Sequence, residues 1–173
     1  MSDERVELPH LGPEFLSWLW YAVEREVGTI DLGGELGRVD VWVDDRIAFR
    51  SREEDKPRTV LTGESPAHSL EARAALAGGK LVRELRLGLR RQEREYLVTL
   101  SGPSLQLKAA KLPPPGEGGS DALLYDRMFF YEELHFLVRS LLLKFARERC
   151  SDDWFSNTLP SIQSWVEGGE AQG

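Results

Sequence analysis

Residues 80–111 read KLVRELRLGLRRQEREYLVTLSGPSLQLKAAK, and this stretch decides the fold. Apolar and polar side chains alternate over residues 80–90, 95–101 and 104–110, a period of two that is typical of strands with one buried face. Polar turns fall between Arg91 and Arg94 and at Ser101-Gly102-Pro103. The segment therefore predicts a three-stranded antiparallel meander whose leucine face packs on a core.

Apolar residues at helical spacing lie on both sides of this meander. Pro in a first turn and Gly just past a last turn support several helix ends. The long helix covers more of its circumference with apolar side chains than one packing face requires. The predicted helices are Phe15–Val27, a second helix that starts at Ser65-Pro66 and ends at Ala77, a long helix from Asp121 to about Arg149, and Leu159–Glu167.

Charged and apolar residues also alternate before the second helix. Residues 38–44 predict a strand, and Asp44-Asp45-Arg46 predicts a tight turn after which residues 47–50 pair back as a hairpin. Thr59–Thr62 predicts a short third strand. The sequence therefore indicates an α+β fold of antiparallel β-meanders packed against helices, with a long C-terminal helix.

The length of 173 residues fits one domain. Residues 112–120 (LPPPGEGGS) have the composition of a linker. We expect an α+β domain at 1–111, with a helix, a hairpin, a helix and the meander. Residues 121–173 are expected to form a helical segment that packs on the sheet.

The charge balance excludes some classes of protein. The chain has 22 Lys and Arg against 29 Asp and Glu, a net charge of −7, so it is not a uniformly basic nucleic-acid binder. The single Cys150 excludes a disulfide framework and a cysteine-based zinc site. Residues 1–7 lack the apolar core of a signal peptide, and no apolar run reaches ~18 residues. We expect a cytoplasmic protein without a membrane span.

The meander carries a local excess of positive charge. Eight Lys and Arg against three Glu give residues 80–111 a charge of +5, which leaves −12 for the rest of the chain. Such a surface can bind a phosphate backbone without reading its sequence, although charged sheet faces are also simply solvated. The predicted DNA-binding residues are Lys80, Arg83, Arg86, Arg90, Arg91, Arg94 and Lys108.

Evidence for catalysis is weak. Asp40, Asp45, Glu54 and Lys56 resemble the carboxylate and lysine set of Mg²⁺-dependent nucleases, but their spacing is loose and Asp44-Asp45 is better explained by a turn. His10, His68 and His135 lie far apart, and no histidine accompanies Cys150. We expect no enzyme activity, no catalytic or metal residue and no cofactor, with a Mg²⁺-dependent nuclease as a remote alternative.

Aromatic residues are concentrated in the first helix and the long helix. Most are expected in the core, and a minority in a contact between protomers. A rival to DNA binding is therefore a protein–protein adaptor or assembly domain. It would use the long C-terminal helix and the region of Trp18 and Trp20, and it would form a homo-oligomer or bind another protein.

Two segments suggest a family. Residues 11–20 (LGPEFLSWLW) and 60–89 (VLTGESPAHSLEARAALAGGKLVRELRLGL) resemble the recombination-associated RdgC family, the second segment matching its C-terminal half. The resemblance implies a nucleoid-associated protein that binds duplex DNA without sequence preference, forms a ring-shaped homodimer and restrains loading of the RecA recombinase. It implies no enzyme activity, and it transfers no individual functional residue. Members of the family are much longer than this chain.

The sequence-based hypothesis is thus a non-enzymatic, sequence-nonspecific DNA-associated protein related to recombination, located in the cytoplasm or nucleoid. The matching motifs are structural, and the basic meander is the only part of the sequence that suggests contact with phosphate.

Overall fold

In the part of the chain that the structure describes, the fold joins one antiparallel sheet to four α-helices. The computed structural model describes residues 11–50, 59–63 and 69–168. Within these ranges the α+β prediction is confirmed. The elements are α1 (Leu11–Arg25), β1 (Thr29–Asp31), β2 (Arg38–Arg50), β3 (Thr59–Thr62), α2 (Leu70–Ala77), β4 (Leu81–Arg91), β5 (Arg94–Ser101), β6 (Leu107–Lys111), α3 (Ser120–Arg149), a π-helical turn (Trp154–Thr158) and α4 (Leu159–Val166).

The six strands found in the described residues belong to a single sheet. Its order is β1-β2-β4-β5-β6. Strand β1 pairs with the first residues of β2, and β3 pairs with the second half of β2. The predicted meander is β4-β5-β6, and its first turn has only two residues, Gln92 and Glu93, because Arg91 pairs with Arg94. The third strand begins at Leu107, since Leu105 has a left-handed backbone with φ of 51°.

The hairpin predicted at Asp44-Asp45-Arg46 is wrong. Residues 38–50 form one strand of 13 residues, which pairs with β4 on both sides of the expected turn. The register shifts between Val43 and Ile47, so the two aspartates form an irregularity in a continuous strand instead of a chain reversal. Their carboxylates bind Arg86 on β4, which favours the extended path.

The start of the second helix also differs from the sequence-based expectation. Ser65 and Pro66 lie outside the described residues. The described helix α2 begins at Leu70, and the hydroxyl of Ser69 accepts a hydrogen bond from the backbone N–H of Ala72. Ser69 is therefore its N-cap. The alternation pattern did not predict the three-residue strand β1.

The core lies between one face of the sheet and the helices. Leu85, Leu87 and Leu89 of β4 are fully buried, as are the inward residues of β5, which confirms the leucine face. Helix α1 covers this face and meets α3, where Phe15 and Trp18 pack against Phe145. The core side chains of α3 and α4 are Leu134, Leu137, Leu141, Phe145 and Trp165.

Two tryptophans of α1 are buried in this core. Trp18 and Trp20 are 1% and 0% exposed, so these two side chains belong to the core, as expected for most of the aromatic residues. Both indoles pack in the aromatic layer, and Trp20 meets Trp165 edge-on with ring centres 5.0 Å apart. Among the described helices, none is long and apolar enough to cross a membrane.

Helix α1 approaches the sheet at backbone distance near its first turn. A Cβ added at Gly12 would lie 1.6 Å from the carbonyl oxygen of Gly102, which is less than half of an ordinary contact. Gly102 is itself fixed, because its N–H donates to the carbonyl of Arg83 at 2.7 Å. Only glycine fits at position 12 without displacing one of the two backbones.

We expect Gly12→Ala to destabilise the protein by about 2–3 kcal/mol, because the methyl group overpacks a contact between two backbones. Urea unfolding followed by circular dichroism measures this change. The matched control is Gly119→Ala, where no heavy atom lies within 4 Å of the added Cβ. Equal stability of the two variants would contradict this account.

Candidate functional site

The predicted DNA-binding residues do not share one surface. Arg86 and Arg90 lie on the face of β4 opposite its buried leucines, as expected from the alternation. We call this face the outer face of the sheet. Arg90 donates to Asp40 at 2.7 and 3.1 Å, and Arg86 donates to Asp44 at 3.1 Å. Each arginine is thus paired with an acidic residue of the neighbouring strand β2.

Lys108 of β6 follows the same pattern. Its ammonium group lies 3.2 Å from Glu84 of β4. Lys80 donates to the hydroxyl of Thr59 at 2.7 Å, and Arg83 is half-buried. A phosphate would have to compete with carboxylates for most of the cations on which the DNA-binding hypothesis depends.

Arg91 and Arg94 point instead to a buried carboxylate of α3. Glu133 accepts a hydrogen bond at 2.8 Å from Arg91, and two from Arg94 at 2.6 and 2.8 Å. The hydroxyl of Tyr96 donates a further, short hydrogen bond to the same carboxylate. We call these four residues the Glu133 cluster; it joins the β4–β5 hairpin to the middle of the long helix.

The electrostatics of the Glu133 cluster follow from this geometry. Burial by itself would raise the pKa of Glu133, but hydrogen bonds from Arg94, Tyr96 and Arg91 outweigh it and hold that pKa below its usual range. Burial, followed by the neighbouring carboxylate, raises the pKa of Tyr96 far above its usual range. At neutral pH the cluster is therefore an ionised carboxylate held by two cations and a neutral phenol.

The nuclease candidates are only partly within the described residues. Asp40 binds Arg90 and Thr29, and Asp45 lies 3.5 Å from Arg86. Glu54 and Lys56 lie outside the described ranges, as do His10 and His68. Across the described part of the chain, no group of three or more His, Cys, Asp or Glu residues is arranged to hold a metal ion. His135 and Cys150 are exposed.

A second surface is apolar and lies on α3. Tyr125, Phe129, Phe136 and Leu143 are 70%, 50%, 53% and 44% exposed. Their intervals of four, seven and seven residues place them on one side of the helix, about opposite Leu134 and Leu141. With Glu132 and Arg139, which lie between them, we call these residues the outer stripe of α3.

The spacing of apolar residues in the sequence of α3 carries a signal for this stripe, which their total number does not. Apolar residues covered more than half of the circumference of α3, but only their spacing separates the inward row from an outward one. Glu132 and Arg139 are both exposed, and within the described residues neither forms an ion pair. The stripe therefore combines exposed aromatic groups with two available opposite charges.

No family model, curated protein or solved structure matches this chain. The resemblance to the RdgC family stays a prediction.

We expect Glu133→Gln to lower the free energy of unfolding by roughly 3 kcal/mol, because it leaves Arg91 and Arg94 without a counter-charge. The loss is at the lower end for a buried pair, since these arginine side chains are 21% and 28% exposed. Urea unfolding at pH 7 measures it. Glu93→Gln, in the exposed turn of the same hairpin, is the control; an equal loss there would contradict a specific role of Glu133.

The lowered pKa of Glu133 also predicts a dependence on pH. Its stabilisation is fully present above the unfolded glutamate pKa of about 4.3, and is lost as pH falls through the lower folded value. The difference in unfolding free energy between wild type and Glu133→Gln should be constant from pH 7 to about 5 and shrink below about 4. Urea titrations from pH 3 to 7 test this. A difference that stays unchanged down to pH 3 would refute it.

Proposed function

We propose that this chain is a non-enzymatic assembly domain, which associates with further copies of itself through the outer stripe of α3. The observation that supports this most directly is the row of large side chains that are about half exposed or more, Tyr125, Phe129, Phe136 and Leu143. Aromatic and leucine side chains gain about 1.5–3 kcal/mol each when water is fully removed from them. A continuous row of them on a helix is typical of a surface that a partner covers.

The pairing of charges on the sheet favours assembly over DNA binding. Arg86, Arg90, Arg91, Arg94 and Lys108 each lie within 3.2 Å of a carboxylate oxygen. These five belong to the set on which the DNA-binding hypothesis rests. Displacing Glu133 would leave a buried carboxylate without its cations, which is costly. Duplex binding stays a prediction from the sequence, and it has less structural support than assembly.

We expect Phe136→Ser combined with Leu143→Ser to weaken self-association of the purified chain at least tenfold, because two apolar anchors of the stripe are removed. Sedimentation over ~1–200 μM protein measures the association. Both side chains are exposed, so thermal unfolding of the dilute variant should match that of wild type.

Leu70→Ser is the matched control, because Leu70 is 84% exposed on α2, outside the stripe. It should associate like wild type. A wild-type chain that is monomeric up to ~200 μM would contradict the proposal. If that chain also bound mixed-sequence duplex in a salt-sensitive way, and Asp40→Asn with Asp44→Asn tightened the binding by freeing Arg86 and Arg90, the DNA-binding hypothesis would replace it.

A further inference from the structure

The outer stripe of α3 has an internal symmetry about Phe136. Phe129 lies seven residues before Phe136, and Leu143 lies seven residues after it. Glu132 lies four residues before, and Arg139 three residues after. At ~1.5 Å per residue, the members of each pair lie at nearly equal distances from Phe136 along the helix axis.

These pairs are complementary in chemistry as well as in position. Phe129 and Leu143 are both apolar, and Glu132 and Arg139 carry opposite charges. Tyr125 and Arg147, each eleven residues from Phe136 and both exposed, are an aromatic ring and a cation. In a partner helix of the same sequence that runs in the opposite direction, an apolar group would therefore lie opposite an apolar group, and a carboxylate or an aromatic ring opposite a cation.

We infer that two copies of this chain pair through the outer stripe with their α3 helices antiparallel and the two-fold axis beside Phe136. This inference rests on the proposed assembly function and gives its arrangement. In this arrangement the interface is isologous, so each contact occurs twice. Glu132 of one protomer faces Arg139 of the other, and Phe129 faces Leu143.

The same charges oppose a parallel pair. Parallel helices in register would bring Glu132 against its own copy, and likewise Arg139 and Arg147. Like charges in direct contact disfavour such an arrangement. In the antiparallel arrangement, Glu132 of each protomer instead lies near Arg139 of the other, which gives two attractive contacts. The absence of an internal ion pair for Glu132 and Arg139 within the described residues leaves both groups available for it.

The test exchanges the two charges. Glu132→Arg alone should weaken dimerisation tenfold or more, since it creates two repulsive contacts with Arg139, and Arg139→Glu alone should do the same. An equimolar mixture of the two single variants should form heterodimers about as tightly as wild type, and the double variant Glu132→Arg/Arg139→Glu should recover homodimers. Sedimentation equilibrium measures each dissociation constant.

Cross-linking tests the direction of the helices independently. With the axis beside Phe136, the two Cys150 residues lie about 40 Å apart, so oxidation should not join them. Phe136→Cys in a Cys150→Ser background should give a disulfide-linked dimer, because the two introduced thiols face each other at the axis. A Cys150-linked dimer of the wild type would instead show a parallel pair.

The possible failures are distinguishable. A chain that never associates overturns the assembly function itself, and this inference with it. A dimer that loses affinity on removal of Phe136 and Leu143, but is unaffected by either single charge reversal, leaves the assembly function intact and overturns the antiparallel arrangement. Glu132 and Arg139 are both exposed on α3, so each single variant should fold like wild type, and an unchanged circular dichroism spectrum checks this.

Discussion

One buried carboxylate determines how the long helix is set on the sheet. Glu133 receives hydrogen bonds from two arginines and a tyrosine of the β4–β5 hairpin, so α3 cannot rotate about its axis without breaking several charge-assisted contacts. At ~100° per residue, Glu133 lies about 60° around the helix from Phe136 and about 40° from Phe129, between the inward row and the outer stripe. Arg94 binds Glu133 and also lies over the ring of Phe129, 5.4 Å from its centre. The Glu133 cluster therefore fixes which side of α3 faces outward, and it borders the surface that we assign to assembly.

Carboxylates have a second role in the helical layer. The indole N–H of Trp18 donates to Glu148 at 2.8 Å, and that of Trp165 donates to Glu24 at 2.7 Å. Trp20 also donates to Glu24, at 3.1 Å. Buried indoles need such acceptors, because an unpaired donor in the core is costly. Part of the acidic excess of the chain therefore organises its aromatic core, and this use of acid leaves the tryptophans unavailable to a partner.

The sequence predicted what depends on local order and missed what depends on distant partners. The alternation in residues 80–111 identified the meander and its buried leucines, because that signal lies within a few residues. The turn predicted at Asp44-Asp45-Arg46 was wrong, because the residue that keeps the strand extended is Arg86, 42 positions away from Asp44. The basic surface failed to form as one face for the same reason: Asp40 and Glu133 lie 50 and 39 residues from the arginines Arg90 and Arg94 that they bind.

The first turns of α3 differ from the rest of the helix. From Ser120 to Glu132 no residue is fully buried, and the partly buried Phe130 is the apolar side chain of this stretch that packs against the core. Segments with so few buried contacts open locally at a small fraction of the global unfolding free energy, and their amide hydrogens exchange early. A partner helix seated on Phe129 and Leu143 would lie across this end, so dimerisation would slow exchange there. Quaternary contact and local folding of α3 would then be one coupled equilibrium, in which protein concentration controls the order of the helix.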